Sequence, residues 1–274
     1  MSNYTHTIKS IAVGSFDGLH VAHRALIDQA EAIAVIERGK GYLTPGFKRS
    51  WYTDKPLYFY CFEKIQGWSA SEFVAHLQQD FPQLEKIVVG YDFGFGQGRE
   101  GDAEHLRALF DGEVVIVDEV QVKGVSVHSR VIRESLRMGN IAVANHLLGR
   151  AYRIDGEVVV GQGLGARELV PTLNLTVQDY QLPAEGVYAT RTLIADVWLP
   201  SVSFLGHRVS TDGTFAVETH VMGREIGKIV GRVKIEFVAR LRDNQRFEGL
   251  DALRDQIVQD SVHAQEVLHA RQSI

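Results

Sequence analysis

Strand-like and helix-like hydrophobic patterns alternate along the first half of the chain. Apolar runs typical of buried strands occupy positions 10–14, 56–62, 86–90 and 114–117. Apolar residues at helical spacing occupy 25–33, 71–77 and 102–110, with Ser69 or Ser71 as candidate N-cap of the second helix. This alternation predicts an α/β domain with a mostly parallel sheet and helices on both faces.

The pattern changes after Gly149. Positions 129–148 predict one or two helices, broken near 138–140, and short β runs follow at 158–160, 186–190, 196–199, 215–218 and 232–237. Glycine-bearing turns separate several of these runs, as in a barrel or sandwich. A last helix is predicted from Leu250 on. The sequence therefore predicts two domains, an α/β domain over 1–149 and a mainly β domain over 150–274.

Composition excludes several classes of protein. The 274 residues are 45% hydrophobic and 23% charged, as in water-soluble globular proteins. No apolar run approaches the ~20 residues of a membrane span, and the first residues contain no apolar signal-peptide core. The net charge of −5 weighs against a nucleic-acid partner. The single cysteine, Cys61, favours a reducing compartment and a small apolar role in the core. We therefore expect a cytoplasmic protein without a membrane or nucleic-acid partner.

The decapeptide GSFDGLHVAH, residues 14–23, lies where the first strand gives way to a helix. Ligands of open α/β sheets bind beyond the carboxyl ends of strands, and Gly14 and Gly18 would let a ligand approach the backbone. His20 and His23 share a helix face and could donate hydrogen bonds to a phosphate. Chance spacing and a zinc site are the alternatives, and no third metal ligand lies nearby in the sequence.

A second glycine cluster contains Gly161, Gly163 and Gly165 and follows a valine run. A dinucleotide-binding turn would need a following helix, whereas Pro171 comes within a few residues and the surroundings are β-like. The glycines therefore indicate either a flap over a phosphate or a mobile hairpin turn.

Three polar residues of the second half are candidates for phosphate chemistry. In an extended segment Thr172 and Asn174 point to the same side, and their oxygens suit Mg²⁺. Glu218 ends an apolar run, where desolvation would suit it as a general base; an exposed strand glutamate is the alternative.

The motifs together resemble those of bacterial bifunctional riboflavin kinase/FAD synthetases. GSFDGLHVAH resembles that family's GxFDGxHxGH, and PTLN at 171–174 resembles its PTxN. Further similarities follow in the family's order: VVGxDFRFG at 88–96, GRxGD at 98–102, ISSTxIR at 127–133, NxLLGR at 145–150, LPxxGVYA at 182–189, VExH at 217–220 and the RLRDExxF tail from 240.

The resemblance implies a nucleotidyltransferase-type, Rossmann-like first domain and a six-stranded riboflavin-kinase barrel with a terminal helix. It implies that the second domain phosphorylates riboflavin to FMN with ATP, and that the first adenylylates FMN to FAD. Mg²⁺ would serve both steps. The implied site residues are His20 and His23 on the α-phosphate, Glu218 as base, Thr172 and Asn174 on the metal, Arg242 near the flavin, and Gly14, Ser15, Asp17, Gly18, Asp92, Ser129, Arg133, Gly161, Gly163 and Gly165 around ATP and its phosphates.

The chain departs from the family's motifs mainly in its first half. Ala22 replaces the glycine of HxGH, Ser15 an asparagine, Gly94 an arginine and Arg130 a threonine. The family's FxPHP segment is absent, and residues 34–46 stand in its place. In the second half, residues 164–168 replace a glycine- and arginine-rich flap and Asn244 replaces a glutamate. Two alternatives follow: a riboflavin kinase with an inactive first domain, and a non-catalytic flavin- or nucleotide-binding module.

Overall fold

The computed structural model describes residues 3–39, 41–159, 171–209 and 213–270. The chain forms two compact units, Met1–Ser129 and Arg130–Ile274. By compactness, residues 130–149 therefore group with the second unit. The boundary at 149/150 stays a prediction about the two functional domains.

The first unit is built on a five-stranded parallel sheet in the order β3-β2-β1-β4-β7. The sheet strands are β1 (Ser10–Gly14), β2 (Ala32–Glu37), β3 (Leu57–Cys61), β4 (Lys86–Gly90) and β7 (Glu113–Val117). Two small hairpins pair β5 (Gly94–Phe95) with β6 (Gly101–Asp102) and β8 (Gln121–Val122) with β9 (Val125–Ser126). The α-helices are α1 (Val21–Ile27), α2 (Phe62–Ile65), α3 (Ala70–Asp80), α4 (Ala103–Leu109) and α5 (Ser129–Arg137), which begins at the last residue of this unit. Short 3-10 helices span Asn3–Thr7, Gly46–Trp51 and Gln97–Arg99.

Apolar cores lie on both faces of this sheet. Ile11 and Val13 pack into a cluster with residues of α3 and α4, such as Phe73 and Leu106. Ala12, which points to the opposite face, packs with residues of α1. Successive side chains of a strand alternate between faces, so one buried run supplies both cores. The predicted α/β fold is confirmed.

The helix predicted over 25–33 is wrong in its second half. Helix α1 ends at Ile27, and Ala32 begins β2, which pairs with both β1 and β3. A short apolar run fits a buried strand and a buried helix equally well by periodicity, and here pairing with two neighbouring strands decides the structure. The two candidate N-caps of α3 are also resolved, because Ser69 accepts the backbone N–H of Glu72 in a capping box.

The prediction that Cys61 is a core residue is also wrong. Cys61 is exposed, since it ends the edge strand β3. An edge strand has only one neighbouring strand to cover it, so its apolar residues are less completely buried than those of β1.

The second unit is a closed six-stranded barrel in the order β10-β11-β14-β13-β12-β15. Its strands are β10 (Tyr152–Val159), β11 (Leu173–Thr176), β12 (Gly186–Ile194), β13 (Val197–His207), β14 (Phe215–Val221) and β15 (Arg232–Arg242), and its helices, beside α5, are α6 (Ile141–Leu148) and α7 (Leu250–Ala270). Ala264 and Leu268 of α7 pack on Val187, Ala189 and Val238 of the barrel wall. The predicted barrel and terminal helix are confirmed, as is the helix break near residues 138–140.

Candidate active sites

The loop after β1 lies at the point where the order of the sheet reverses. The chain proceeds from β1 to β2 and β3 on one side, and then to β4 and β7 on the other. Parallel sheets bind ligands at such a switch point, beyond the carboxyl ends of the two central strands. Gly14 ends β1 and Gly90 ends β4, so the predicted residues that follow both strands lie at this edge.

The two predicted histidines are stacked. The rings of His20 and His23 lie 3.5 Å apart, centroid to centroid, at 16° to each other. His20 caps α1, where its Nδ1 accepts the backbone N–H of His23 at 3.3 Å. An accepting Nδ1 carries no proton, so a neutral His20 ring carries its proton on Nε2. The sequence placed these residues on one helix face, and the structure brings their rings into contact.

The loop between β1 and α1 has an unusual backbone. Phe16, Gly18 and Leu19 all have positive φ, at 45°, 89° and 38°. Such a conformation strains residues other than glycine, so the surrounding structure must hold it. Gly14, by contrast, has an ordinary φ, and a Cβ there would lie 3.4 Å from the Phe16 ring. Ser15 follows it and lies partly buried in the same loop.

Asp17 and Ser129 fasten this loop. The buried Asp17 carboxylate accepts the backbone N–H groups of Leu43 and Thr44, each at 2.9 Å. The Ser129 hydroxyl, at the start of α5, donates to the backbone carbonyl of Asp17 at 2.7 Å. Arg133 follows four residues later on α5 and is grouped with the second unit. The polar groups of Asp17 and Ser129 therefore organise the loop around the two histidines.

A polar cluster lies beyond β4. The Tyr91 hydroxyl lies 3.2 Å from both Glu119 Oε1 and His128 Nε2, and Asp92 Oδ2 lies 3.9 Å from His128 Nδ1. Hydrogen bonds from Gln121 and Ser126 lower the pKa of Glu119, whereas desolvation raises the pKa of Tyr91. The predicted residue Asp92 therefore lies near His128, which directly precedes the predicted residue Ser129 in the chain. Tyr91 and His128 carried no separate sequence signal.

Arg99 fills the space next to Gly94, the position of the missing family arginine. A Cβ on Gly94 would lie 2.6 Å from Nε of Arg99, and Arg99 also donates to the backbone carbonyl of Asp92 at 3.1 Å. A side chain at position 94 would therefore displace this guanidinium. The departure at Gly94 and the position of Arg99 are coupled.

The barrel places the candidate kinase residues side by side. Asn174 of β11 and Glu218 of β14 are directly paired across the two strands. Thr219 is buried and exchanges hydrogen bonds with Ser203 and Thr192, so its neighbour Glu218 points to the opposite side of β14. Thr172 directly precedes β11, and both Thr172 and Asn174 are partly exposed while Leu173 between them is buried, as alternation along an extended segment predicts. The candidate base and both candidate metal ligands therefore share one surface of the barrel.

Arg208, which sequence analysis did not single out, bridges the two paired residues. Its Nε donates to Glu218 Oε1 at 2.6 Å, and its Nη2 donates to Asn174 Oδ1 at 2.7 Å. Its Nη1 donates to the hydroxyl of Thr214 at 3.0 Å. No motif pointed to Arg208, because its role depends on contacts with Asn174 and Glu218, which lie on two other strands.

The other predicted residues of this unit have different surroundings. Gly161, Gly163 and Gly165 lie outside the described residues. Arg242 makes a two-point ion pair with the nearly buried Asp260 of α7, with its Nη2 2.7 Å from Oδ2, and its guanidinium lies 5.5 Å from the Phe247 ring. In this arrangement Arg242 fastens α7 to β15.

The oxygen ligands proposed for Mg²⁺ have the right chemistry, a hydroxyl and an amide oxygen on one side of a strand. The Asn174 Oδ1 atom accepts a hydrogen bond from Arg208, which engages one of its two lone pairs and leaves the other for a further partner. Within the part of the chain that the structure describes, no three His, Cys, Asp or Glu side chains come together as a metal cluster.

Comparison with known proteins gives one match for each half of the chain. A riboflavin kinase family model matches residues 148–268, and an FAD synthetase family model matches residues 54–131. The curated bifunctional riboflavin kinase/FMN adenylyltransferases of Escherichia coli K12 and Pseudomonas fluorescens are 27% and 29% identical to this chain. The alignments cover 93% and 90% of this chain and 91% and 89% of the relatives. The chain belongs to the bifunctional riboflavin kinase/FMN adenylyltransferase family.

A third relative matches over nearly its whole length. The enzyme of that name from Mycoplasma pneumoniae is 27% identical, and the alignment covers 94% of this chain and 97% of the relative. This family member therefore has two parts matching those of its relatives, in the same order.

A solved structure shares the fold under a different title. A crystal structure titled as a macrolide-efflux protein from Streptococcus pneumoniae matches with a TM-score of 0.83, 26% identity and 94% coverage of both chains. That name refers to the Streptococcus pneumoniae protein, and only the shared fold is carried over to the present chain. Among the residues that the structure of the present chain describes, no helix is both long enough and apolar enough to cross a membrane.

Proposed function

We propose that this chain converts riboflavin to FMN and then FMN to FAD, using one ATP in each step. The observation that carries the proposal is the presence of two polar clusters, each in a part of the chain matched by a different family model. The cluster of Tyr91, Glu119 and His128 lies within the FAD synthetase match, and the pair of Arg208 and Glu218 lies within the riboflavin kinase match. The barrel is assigned the kinase step and the α/β unit the adenylyl transfer. The proposal places the enzyme in the cytoplasm.

In the kinase step, the 5′-hydroxyl oxygen of riboflavin attacks the γ-phosphorus of ATP. The bond from this phosphorus to the ADP oxygen breaks, and the hydroxyl proton passes to Glu218. Thr172 and Asn174 would hold Mg²⁺, which neutralises phosphate charge when bound. Arg208 holds the Glu218 carboxylate against Asn174. The flap containing Gly161, Gly163 and Gly165 is assigned to the phosphates on its sequence alone.

In the adenylyl step, a phosphate oxygen of FMN attacks the α-phosphorus of the second ATP and pyrophosphate leaves. No protein nucleophile is needed, so the unit's task is alignment and charge neutralisation. His20 and His23 are assigned to the α-phosphate, with the Nε2 proton of neutral His20 as a donor. Arg133 is assigned to the phosphates, and Asp92 to the surrounding site. Gly14, Ser15 and Gly18 would border ATP, with Asp17 and Ser129 holding the loop.

A riboflavin kinase without adenylyl transfer is the second candidate function. Ala22 and Arg130, together with the absent FxPHP segment, favour it, because all of these departures lie in residues 1–149, the predicted adenylyltransferase domain. A non-catalytic module that binds flavin or nucleotide is the third, and it would not require Glu218.

A product time course separates these functions. The protein is incubated with riboflavin, ATP and Mg²⁺, and FMN and FAD are resolved at successive times. We expect FMN to form first and FAD to follow. FMN without FAD, also when FMN itself is supplied, would establish the kinase-only alternative. The absence of any phosphorylated flavin would refute both enzyme functions.

A further inference from the structure

Arg49 is a completely buried arginine in the first unit. It lies in the 3-10 helix Gly46–Trp51, just after the stretch that stands in place of the absent FxPHP segment, and 0% of its surface is exposed. Its Nε donates to the backbone carbonyl of Phe16 at 3.2 Å. Its Nη1 lies 3.0 Å from Glu37 Oε2 and 3.1 Å from the carbonyl of Gly46. One side chain thus joins the end of β2, the 3-10 turn and the loop after β1.

The carbonyl that Arg49 holds belongs to the strained part of the loop. Phe16 has a φ of 45° and Leu19 a φ of 38°. Both values lie in a region that is unfavourable for residues with a Cβ. A second connection runs from the same segment, since the Asp17 carboxylate accepts N–H groups of Leu43 and Thr44. Residues 43–49 therefore hold two successive residues of the loop that presents His20 and His23.

Burial of Arg49 costs stability. One of its nitrogens, Nη2, is buried and has no hydrogen-bond partner within the described residues. Glu37 compensates its charge, and the guanidinium lies 5.6 Å from the Tyr42 ring. Apolar residues of similar volume often stabilise a core more than a buried ion pair does. Arg49 is therefore better explained by a need for geometry than by stability.

We propose that Arg49 is a positioning residue for adenylyl transfer, which holds the Phe16 carbonyl so that the loop presents His20 and His23 to the α-phosphate of ATP. The inference rests on the proposed function of the first unit. It assigns a structural role to residues 41–51, which hold the loop after β1 through hydrogen bonds to Phe16 and Asp17.

The test compares Arg49→Met, Arg49→Lys and a matched control, Arg107→Met. Arg107 lies on α4, where its side chain is half exposed and pairs with Glu104. For each variant, kcat and KM for ATP are measured in FAD formation from FMN, and FMN formation from riboflavin serves as an internal reference. Thermal unfolding gives the folded fraction, to which the rates are normalised.

For Arg49→Met we expect kcat/KM of FAD formation to fall by about 100-fold per folded molecule, because a small misplacement of reacting groups costs that much. FMN formation should be unchanged. Arg49→Lys should recover part of the loss, since an ammonium group can still donate to the Phe16 carbonyl. Arg107→Met should behave as wild type.

Two results would overturn the inference. One is an Arg49→Met variant whose FAD formation per folded molecule equals that of wild type. The other is a loss of activity fully explained by unfolding, with Arg49→Lys no better than Arg49→Met. If wild type itself makes no FAD, the proposed function fails, and titration with a non-hydrolysable ATP analogue decides the inference separately. Wild type should then show two sites, one of them weakened in Arg49→Met; two unchanged sites would refute the role of Arg49.

Discussion

Arg208 donates a 2.6 Å hydrogen bond to Glu218, the residue proposed to accept the proton of riboflavin. The same guanidinium holds the side-chain oxygen of Asn174, on the neighbouring strand. Because the fork of an arginine is rigid, these two contacts fix the carboxylate and the amide relative to each other. The candidate kinase site is thus organised by a residue that belongs to none of its motifs.

Replacing Glu218 by Gln should reduce FMN formation to a small residual rate. The amide keeps an oxygen for the hydrogen bond from Arg208 but accepts no proton, so the rate should fall by about 10²- to 10⁴-fold. FAD formation from supplied FMN should continue at the wild-type rate. Flavin products are resolved by chromatography, with Glu225→Gln, an exposed glutamate of the same unit, as the control. FMN formation at the wild-type rate in Glu218→Gln would show that the base is misassigned.

Replacing Arg208 by Lys should slow FMN formation while the protein stays folded. Lysine is a point charge and does not bridge Glu218 and Asn174, so we expect kcat to fall roughly tenfold or more. About a fifth of each side chain is accessible. Because lysine keeps the positive charge beside Glu218 and only hydrogen bonds are lost, the free energy of unfolding should fall by about 1–2 kcal/mol. Steady-state kinetics and denaturant unfolding measure the two effects. An unchanged kcat would contradict the positioning role; Arg224→Lys, at an exposed position, is the control.

The histidine pair should be needed for FAD formation only. His20→Asn retains a side chain that caps α1, so it separates capping from phosphate binding. Loss of a donor to the reacting phosphate should lower kcat of FAD formation by about 10²- to 10³-fold. His23→Ala should show a similar loss, and both variants should make FMN normally. Retention of FAD formation in both would remove the histidines from the site.

Asp17→Asn should destabilise the first unit. The buried carboxylate accepts two backbone N–H groups at 2.9 Å, and hydrogen bonds to a charged group are the strong ones. In one orientation the amide of asparagine points its NH2 donor at these N–H groups. In the other orientation its neutral oxygen accepts weaker hydrogen bonds than a carboxylate does. We therefore expect the free energy of unfolding to fall by about 2 kcal/mol. Denaturant unfolding measures it, and Asp28→Asn at the exposed end of α1 is the control. Equal stability of both variants would show that these contacts contribute nothing.

Stability should fall in alkaline solution as Tyr188 ionises. Desolvation in the barrel raises the pKa of Tyr188 to about 12, from 10.0, so the folded state keeps the phenol proton longer than the unfolded chain does. The contribution is therefore complete below pH 10 and is lost as the pH rises through about 12, by up to roughly 3 kcal/mol. Unfolding measured against pH should show this slope, and Tyr188→Phe should reduce it. An identical slope in the variant would assign it to other groups.

The sequence predicted β1 and β4 well, because a short buried run bounded by glycine leaves few alternatives. It failed at β2, where the apolar residues 32–37 follow directly on the helical pattern of α1 and only pairing with β1 and β3 identifies the strand. The two histidines, Asn174 and Glu218 could be proposed as site residues from the sequence because each lies in a short local motif. Arg49 and Arg208 have no such motif.

The sequence by itself determined the alternation of elements, the change to a β barrel and the family motifs, since each depends on residues close together in the chain. Only the tertiary structure decided which residues hold the motif residues in place. Arg49 meets Phe16 across 33 positions and Arg208 meets Asn174 across 34. Such contacts depend on strand register and on the paths of loops, which local periodicity does not encode, because they are set by the packing of the whole unit.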